Sequence, residues 1–339
     1  MSENASELAS LAEEVEKASV LLGNSRAWIG KRIIGQEQVV EQAMVALLCG
    51  GHALLVGAPG LAKTRLVDTL GTVFGLNTNR VQFTPDLMPA DILGSEVLES
   101  NDDGARAFRF LKGPVLSQLL MADEINRASP RTQSALLQAM QERQVTIAGQ
   151  EYDLPAPFHV LATQNPIEQE GTYPLPEAQL DRFILQIDVG FPSRDTERDI
   201  LLATTGADEA EAQEVFTPET LIAAQAAVRR MPVGDAVVEA ILDLVRAARP
   251  EDETAPEFVR DAVSWGPGPR AAQAFMLATR ARAMVQGRLA PSVDDVIALA
   301  HPILIHRMAL GFAARARGEK LSDLIARLTV QVTGAEAAA

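Results

Sequence analysis

The sequence predicts an α/β domain built on a parallel sheet, followed by an all-helical domain. Two observations predict this division of the 339 residues. Between residues 52 and 190, short apolar runs alternate with helical stretches, and a parallel sheet covered by helices on both faces requires that alternation. After residues 191–199 the apolar runs stop, and amphipathic stretches separated by Pro and Gly follow. We therefore place the domain boundary near residue 192, between an α/β domain at 1–192 and a helical domain at 193–333.

The elements of the first domain follow from local patterns. Leu8, Leu11 and Val15 recur at helical spacing, which predicts an amphipathic helix at 5–22 within an N-terminal helical segment, 1–32. The predicted strands are the apolar runs at 52–57, 80–83, 119–123, 158–163 and 183–189.

Two inserts interrupt the alternation of strands and helices. Residues 95–110 place Asp103-Gly104 between extended arms, and residues 143–155 do the same with Ala148-Gly149, so both segments predict β-hairpins. The helices predicted for the second domain are 217–231, 235–248, 269–285, 292–310 and 320–332. Residues 334–339 are expected to form a disordered tail.

Composition and charge exclude several classes of protein. A net charge of −15 repels nucleic acid phosphates, so we expect no nucleic acid binding by general charge. The single cysteine, Cys49, rules out an internal disulfide and fits a reducing compartment. The polar N-terminus is unlike a secretory signal, and no apolar run approaches the length of a bilayer span. We expect a cytoplasmic location without direct membrane insertion.

The segment GAPGLAKT, residues 57–64, lies between the first predicted strand and a helix, and it predicts a phosphate-binding loop. In such a loop, backbone N–H groups and the positive end of the following helix hold phosphate oxygens. Lys63 would pair with β- and γ-phosphate oxygens, and Thr64 would offer its hydroxyl to Mg²⁺. An ordinary strand–turn–helix is the alternative, but Lys is scarce in this chain and both flanking elements are present.

Three small residues shape the predicted loop. We expect Gly57 and Gly60 to supply unusual backbone angles. Ala62 stands where the pattern usually has glycine, and we expect the loop to tolerate it with a negative φ.

Polar residues follow two other predicted strands. Asp123 and Glu124 end the run LLMAD-E, where Asp123 would orient Mg²⁺ and Glu124 would polarise the attacking water. Such a pair alone would more often be two solvated acids, but its occurrence together with the loop favours a metal and water site. Asn165 follows the strand at 158–163, and its amide could contact the γ-phosphate or position water; a polar loop start is the alternative.

Two arginines are candidates for charge stabilisation. Arg182 is predicted at the end of a short helix, where it could reach a nucleotide held by a neighbouring subunit or pair with Asp181. Pro269 suits the first position of a helix, which puts Arg270 in a first turn where the macrodipole disfavours a cation. A nearby anion would offset this, and a γ-phosphate is one candidate. Arg127 is ambiguous: it could sense nucleotide or cap the acidic loop.

The segments IIGQEQVV, GAPGLAKT, RVQFTPDLMPADILG, LLMADEINRASPRTQ, FHVLATQNP and GPGPRA, in this order, resemble the MoxR family of AAA+ ATPases over residues ~33–310. The resemblance implies a five-stranded AAA+ core with a helical lid, in which the two hairpins are the helix-2 insert and the pre-sensor hairpin. Alanine before the lysine is usual in that family.

The resemblance also implies roles for individual residues. Glu124 is implied as the catalytic base, Asn165 as sensor 1, Arg182 as the arginine finger and Arg270 as sensor 2. Thr64 and Asp123 are implied to hold Mg²⁺ through the nucleotide. The implied nucleotide-binding residues are Ile34, Gly35, Gly57, Ala58, Pro59, Gly60, Leu61, Ala62, Lys63, Thr64, Arg65 and Asp123.

Family members act as ring-shaped ATPases, usually hexamers, that use ATP and Mg²⁺ to help mature protein complexes. The resemblance therefore implies a homo-oligomeric ring and a partner with a von Willebrand factor A domain, sometimes with metal or cofactor insertion. Three other functions stay open: the motor subunit of a metal chelatase, a DNA-directed motor, and a nucleotide switch that does not hydrolyse. The acidic charge argues against the DNA motor, and the Asp123-Glu124 pair argues against the switch.

Overall fold

The computed structural model describes residues 2–100, 106–168, 171–205 and 211–334. The strands within these ranges are β1 (Ala53–Val56), β2 (Thr78–Gln82), β3 (Gly94–Ser100), β4 (Arg106–Lys112), β5 (Leu119–Asp123), β6 (Gln144–Ile147), β7 (Gln150–Asp153), β8 (His159–Gln164), β9 (Leu185–Asp188), β10 (Val263–Trp265) and β11 (Ala309–Leu310). The helices are α1 (Ser2–Arg32), α2 (Glu37–Leu48), α3 (Lys63–Val73), α4 (Pro89–Leu93), α5 (Pro130–Glu142), α6 (Glu177–Leu180), α7 (Arg194–Thr204), α8 (Pro218–Arg230), α9 (Asp235–Ala247), α10 (Glu257–Ala262), α11 (Pro269–Val285), α12 (Val293–Leu304), α13 (Phe312–Ala316) and α14 (Leu321–Thr333), with a 3₁₀ turn at Ile125–Arg127.

The central sheet has five strands in the order β2-β5-β8-β1-β9, and every neighbouring pair is parallel. All five predicted runs are strands of this sheet, which confirms the predicted α/β core. Because parallel strands are joined by crossovers, their carboxyl ends all lie along one edge of the sheet.

Both predicted hairpins are present. β3 pairs antiparallel with β4, and β6 pairs with β7. The predicted turn at Asp103-Gly104 lies outside the described residues. In the second hairpin Ala148 and Gly149 have φ of 49° and 85°, the left-handed pair of angles that a two-residue type I′ turn needs.

The sheet is covered on both faces, as its apolar strands require. Neighbouring residues of a strand point to opposite faces, so Leu54 and Leu55 of β1 belong to two different buried clusters. The cluster around Leu54 contains α5 and the second hairpin, with Leu136 and Val145. The cluster around Leu55 is continuous with α1, α2, α3 and the helical domain.

The helical domain differs from the prediction in several elements, and α7, α10 and α13 lie outside the five predicted helices. It carries a short antiparallel pair, β10 with β11, that the sequence analysis did not predict. The helix predicted at 292–310 ends at Leu304, and His306 and Arg307 lie in the buried turn after it. The last strand of the sheet ends at Asp188 and α7 begins at Arg194, while the domain boundary near 192 stays a prediction.

The N-terminal helix extends beyond the amphipathic stretch at 5–22 and spans most of the helical segment expected at 1–32. α1 runs to Arg32 and buries Val15, Leu22 and Ile29 against α2, α3, α8 and α11. It therefore packs against both parts of the chain. Across the described ranges, we find no helix with the length and apolar character that a bilayer crossing demands.

Three histidines are buried next to the amino ends of the strands. His52 accepts a hydrogen bond from the Val160 N–H at 2.9 Å, and the ring of His159 lies 2.9 Å from the carbonyl oxygen of Gly51. Burial lowers the pKa of His52 to about 3 and that of His159 to about 4. Burial also lowers the pKa of His306, to well below its usual value. All three rings are therefore neutral in the folded chain at neutral pH.

We predict that the chain loses stability as the pH falls below 6.5. The unfolded chain takes up protons on these histidines near pH 6.5 and the folded chain does not, so unfolding becomes easier by about 1.4 kcal/mol per pH unit for each ring. Denaturant unfolding between pH 7.5 and 5 measures this slope. His159→Asn should flatten this slope, because it removes one of the three buried rings. Equal stability at pH 7 and pH 5 would contradict the prediction.

Candidate nucleotide site

A cleft of about 360 Å³ opens at the carboxyl edge of the sheet, a volume within the usual range for small-molecule sites. It lies where β1, β5 and β8 end. Its lining consists of residues 59–65 together with Asp123, Glu124, Thr163 and Asn165. The structure thus brings the predicted loop, the acidic pair and the polar strand end together.

The loop presents donors to this cleft. α3 begins at Lys63 and has no side-chain cap among the described residues, so its first N–H groups face the cleft. The Lys63 ammonium donates to the carbonyl oxygens of Gly57 and Ala58, at 2.8 and 2.7 Å. Burial lowers the pKa of Lys63, and the charges of Asp123 and Glu124 oppose this shift.

The small residues of the loop only partly match their predicted conformations. Gly60 has φ of +82°, as predicted. Gly57 has no positive φ, so that prediction was wrong; a Cβ there would lie 2.5 Å from the carbonyl oxygen of Val189, and the close approach of the strand end is what requires glycine. The negative φ expected for Ala62 was also wrong, because its φ is 56°. Ala62 is left-handed, at a cost of about 1–2 kcal/mol.

Asp123 is held from both sides. The Thr163 hydroxyl donates to its Oδ1 at 2.5 Å, and the Arg80 guanidinium donates to its Oδ2 at 2.6 Å. Thr163 also accepts from the backbone N–H of Glu124 at 2.9 Å. One buried hydroxyl therefore fixes the two acidic residues relative to each other.

Glu124 lies in a strained and crowded position. Its φ and ψ are 55° and 50°, a left-handed conformation that costs a non-glycine residue about 1–3 kcal/mol. The Gln82 amide and the Arg127 guanidinium both donate to its Oε2, each at 2.9 Å. Arg127 therefore holds the acidic loop in this structure, one of the two interpretations that the sequence left open.

Two further predicted segments lie beside the loop. The Asn165 side-chain oxygen accepts from the Ile167 N–H at 3.1 Å, which fixes the amide within the cleft. Gln36, next to Ile34 and Gly35, donates to the carbonyl oxygen of Leu61 at 3.4 Å. A Cβ on Gly35 would lie 2.0 Å from Cγ2 of Thr196, so the segment is in close contact with the start of α7.

Arg182 and Arg270 are not in this cleft. They line a separate cavity of about 190 Å³ together with His52, Met140 and Asp181. His52 precedes β1 and Arg182 precedes β9, so this cavity is at the amino edge of the sheet. A four-residue parallel strand is about 13 Å long, and this length sets the separation between the amino and carboxyl edges of the sheet.

Arg270 lies near an anion of its own chain, whereas Arg182 donates to a backbone carbonyl oxygen. Arg270 lies in the first turn of α11, as predicted, and its guanidinium is 3.8 Å from Oδ2 of Asp181. Arg182 follows α6 by two residues rather than ending it, and it donates to the Leu137 carbonyl oxygen at 2.5 Å. Asp181 therefore offsets the helix dipole at Arg270.

A fully buried arginine anchors this segment. Arg307 donates to Oδ1 of Asp181 at 2.8 Å and to the carbonyl oxygens of Phe183 and Ile184 at 2.7 and 3.2 Å. Burial lowers the pKa of Arg307, and the hydrogen bond with Asp181 opposes this. The residues on both sides of Arg182 are thus tied to the helical domain.

Comparisons with known proteins agree with this geometry. Residues 52–185 match the ATPase family associated with various cellular activities (AAA), and residues 256–328 match the AAA lid domain. The chain is 43% identical to Chaperone MoxR1 of Mycobacterium tuberculosis over 284 residues. The aligned segment covers 84% of this chain and 74% of the relative. The chain belongs to the MoxR family of AAA+ ATPases.

Other relatives extend the similarity over nearly the whole MoxR-family chain. Protein MoxR of Paracoccus denitrificans is 32% identical, with 85% of this chain and 88% of the relative covered. A crystal structure of a Cytophaga hutchinsonii protein assigned as an ATPase superposes with a TM-score of 0.87 at 35% identity, covering 95% of this chain and 97% of the other. The family resemblance and the AAA+ core with a helical lid are confirmed.

The residues of this MoxR-family cleft fit a magnesium nucleotide. A triphosphate requires N–H groups and a cation, and the uncapped start of α3 and the Lys63 ammonium supply them. Mg²⁺ requires oxygen ligands, and the cleft holds the Thr64 hydroxyl and the carboxylates of Asp123 and Glu124. Four residues that shape the site were missed by the sequence analysis: Arg80, Gln82, Thr163 and Arg307. Arg80 and Gln82 lie two apart on β2, so their side chains share a face, but only the strand order shows that this face adjoins β5.

We predict that Ala62→Gly raises the free energy of unfolding by up to about 1.6 kcal/mol. Glycine removes the left-handed strain of about 1–2 kcal/mol and loses about 0.4–1 kcal/mol through the greater freedom of the unfolded chain. Denaturant unfolding measures the difference. Ala58→Gly is the matched control: Ala58 has no positive φ, so this change should destabilise. Equal destabilisation by both changes would contradict the prediction.

Proposed function

We propose that this MoxR-family chain hydrolyses ATP in the presence of Mg²⁺ and uses the energy to remodel or mature a protein complex. The observation that carries the proposal is the division of the catalytic groups. The phosphate loop and both carboxylates lie at one edge of the sheet, and Arg182 with Arg270 lies at the other. Each chain then has two half-sites, which only a second copy can complete.

Each residue of the cleft has a separate role in the proposed hydrolysis. Lys63 and the start of α3 bind the β- and γ-phosphates, while Thr64 and Asp123 hold Mg²⁺. Mg²⁺, when bound, neutralises charge that develops on the phosphate oxygens. Glu124 accepts a proton from the attacking water, and the Asn165 amide donates to the γ-phosphate. Ile34 and Gly35, beside the loop, would line the adenine pocket.

The amino edge supplies the remaining charge. Arg182 and Arg270 of one copy reach the γ-phosphate in the cleft of the next, where such arginines accelerate phosphoryl transfer by about 10³–10⁵. An interface that joins the amino edge of one copy to the carboxyl edge of the next is head-to-tail. Such interfaces close into a ring when the rotation between neighbouring copies permits. We propose a homo-oligomeric ring, with six copies as the family resemblance implies.

The remodelling partner follows from the family. We propose a protein with a von Willebrand factor A domain, with metal or cofactor insertion as one form of maturation, in the cytoplasm where ATP is present. The name of the relative from M. tuberculosis supports a chaperone role. Arg109, a basic residue of the first hairpin, is paired with Glu99 at 3.0 Å, which argues against that hairpin as a DNA-binding surface.

We predict that Glu124→Gln keeps ATP bound and lowers its turnover by at least about 100-fold, because the amide cannot accept the proton. Phosphate release and retained nucleotide are measured together. Glu168→Gln, an exposed acid 3.8 Å from Arg127, is the control and should hydrolyse like the parent. Parental turnover in Glu124→Gln would refute the role of this base.

A pull-down with Glu124→Gln in ATP identifies the partner. If the partner is a porphyrin-chelating subunit, the chain is the motor subunit of a metal chelatase and the remodelling proposal is wrong.

We predict that two inactive variants restore activity when mixed. Arg182→Ala combined with Arg270→Ala has an intact cleft, whereas Glu124→Gln has an intact amino edge. A random equal mixture of copies pairs an intact cleft with an intact edge at about a quarter of interfaces. Turnover of the mixture should rise accordingly. A mixture as inactive as its parts would show that the arginines do not act between copies. A chain that stays monomeric in magnesium ATP, with Arg182→Ala as active as the parent, would refute the ring.

A further inference from the structure

Arg80 forms an ion pair with Asp123 that no step of the proposed reaction uses. Arg80 lies on β2, the edge strand, and its guanidinium donates to Oδ2 of Asp123 at 2.6 Å. The arginine side chain is half-exposed, whereas that of Asp123 is 13% exposed. The pair therefore lies at the rim of the cleft, with the carboxylate inside and the guanidinium reaching in from solvent.

The contact occupies the part of Asp123 that a metal would need. Oδ1 already accepts from the buried Thr163 hydroxyl at 2.5 Å, so Oδ2 is the oxygen that faces outward. A guanidinium at 2.6 Å uses a lone pair of Oδ2 and places a positive charge where a divalent cation or its bound water would lie. Arg80 and a metal therefore compete for one carboxylate oxygen.

Arg80 has a second acceptor when it leaves Asp123. Oε1 of Gln82, on the same face of β2, lies 3.4 Å from the same guanidinium nitrogen. The Gln82 amide in turn donates to Glu124 at 2.9 Å, so both acidic residues are engaged by β2. Because Arg80 is half-exposed on an edge strand, it can swing toward Gln82 and water without disturbing the core.

We propose that Arg80 is the counter-ion of Asp123 in the resting site and releases that carboxylate when a metal nucleotide binds. The inference rests on the proposed role of Asp123 at the metal. In the opposite case, Arg80 would be a positioning residue: it would keep its hydrogen bond to Asp123 and orient that carboxylate for the metal. The two roles predict opposite changes in metal affinity when Arg80 is replaced. Replacement strengthens metal binding if Arg80 is a competing counter-ion, and weakens it if Arg80 is a positioning residue.

The test measures metal binding rather than turnover. Mn²⁺ is titrated into the full chain saturated with ADP, and free Mn²⁺ is followed by electron paramagnetic resonance. Arg80→Gln should bind Mn²⁺ about three- to tenfold more tightly than the parent, since a partly buried competing pair is removed. Arg80→Lys keeps the charge and should stay close to the parent. Arg109→Gln removes one positive charge from the hairpin and should not change the affinity. Unchanged or weaker Mn²⁺ binding in Arg80→Gln would overturn the inference.

A double-mutant cycle shows whether the effect passes through Asp123. In an Asp123→Asn background, Arg80→Gln should no longer tighten Mn²⁺ binding. If the same gain persists there, Arg80 acts through the general field of the site and the inference fails. The proposed function fails separately: a parent chain that binds neither ADP nor Mn²⁺ with ADP refutes the nucleotide site itself, whereas a parent that binds both leaves only Arg80 in question.

Discussion

The parallel direction of the five central strands is the constraint on which the arrangement of the site depends. Parallel strands collect all their carboxyl ends on one edge, which is how residues distant in sequence, such as Lys63, Asp123 and Asn165, come to line one cleft. The same rule collects the amino ends on the other edge. Arg182 precedes β9 and is consequently placed there, one strand length from the cleft. The separation of the cleft from the cavity beside Arg182 is a direct consequence of the strand direction.

The cleft concentrates backbone strain and charge. Two of the four non-glycine residues with positive φ among those described, Ala62 and Glu124, are in it. Strain of this kind persists only where the surroundings hold it, and here the Thr163 hydroxyl and the Gln82 amide hold the acidic loop. The charged groups of the resting cleft have partners within the chain, because Lys63 donates to loop carbonyls and Asp123 is paired with Arg80. The site is thus preformed in its backbone and has to rearrange its side chains for a ligand.

Much of the fold could be predicted from local patterns, because each central strand is an unbroken apolar run and each hairpin has alternating arms. The loop and the acidic pair could be recognised because their residue types follow strand ends directly. The left-handed conformation of Ala62 could not be predicted, because the residue type and its neighbours do not indicate the sign of φ. The position of Arg270 next to Asp181, and that of Arg80 next to Asp123, depend on tertiary contacts between distant segments. β10 and β11, of three and two residues, are too short to show a period.

The guanidinium of Arg307 has a mechanical consequence. It belongs to the helical domain, is 2% exposed, and gives its hydrogens to acceptors on both sides of Arg182 in the core. A buried cation that loses its acceptors is strongly destabilised, so the position of the helical domain is coupled to that of the segment 181–184. Arg307 therefore couples the position of Arg182 to the helical domain of its own chain. In the ring proposed above, this coupling would carry a change of domain angle to the phosphate loop of the adjacent copy.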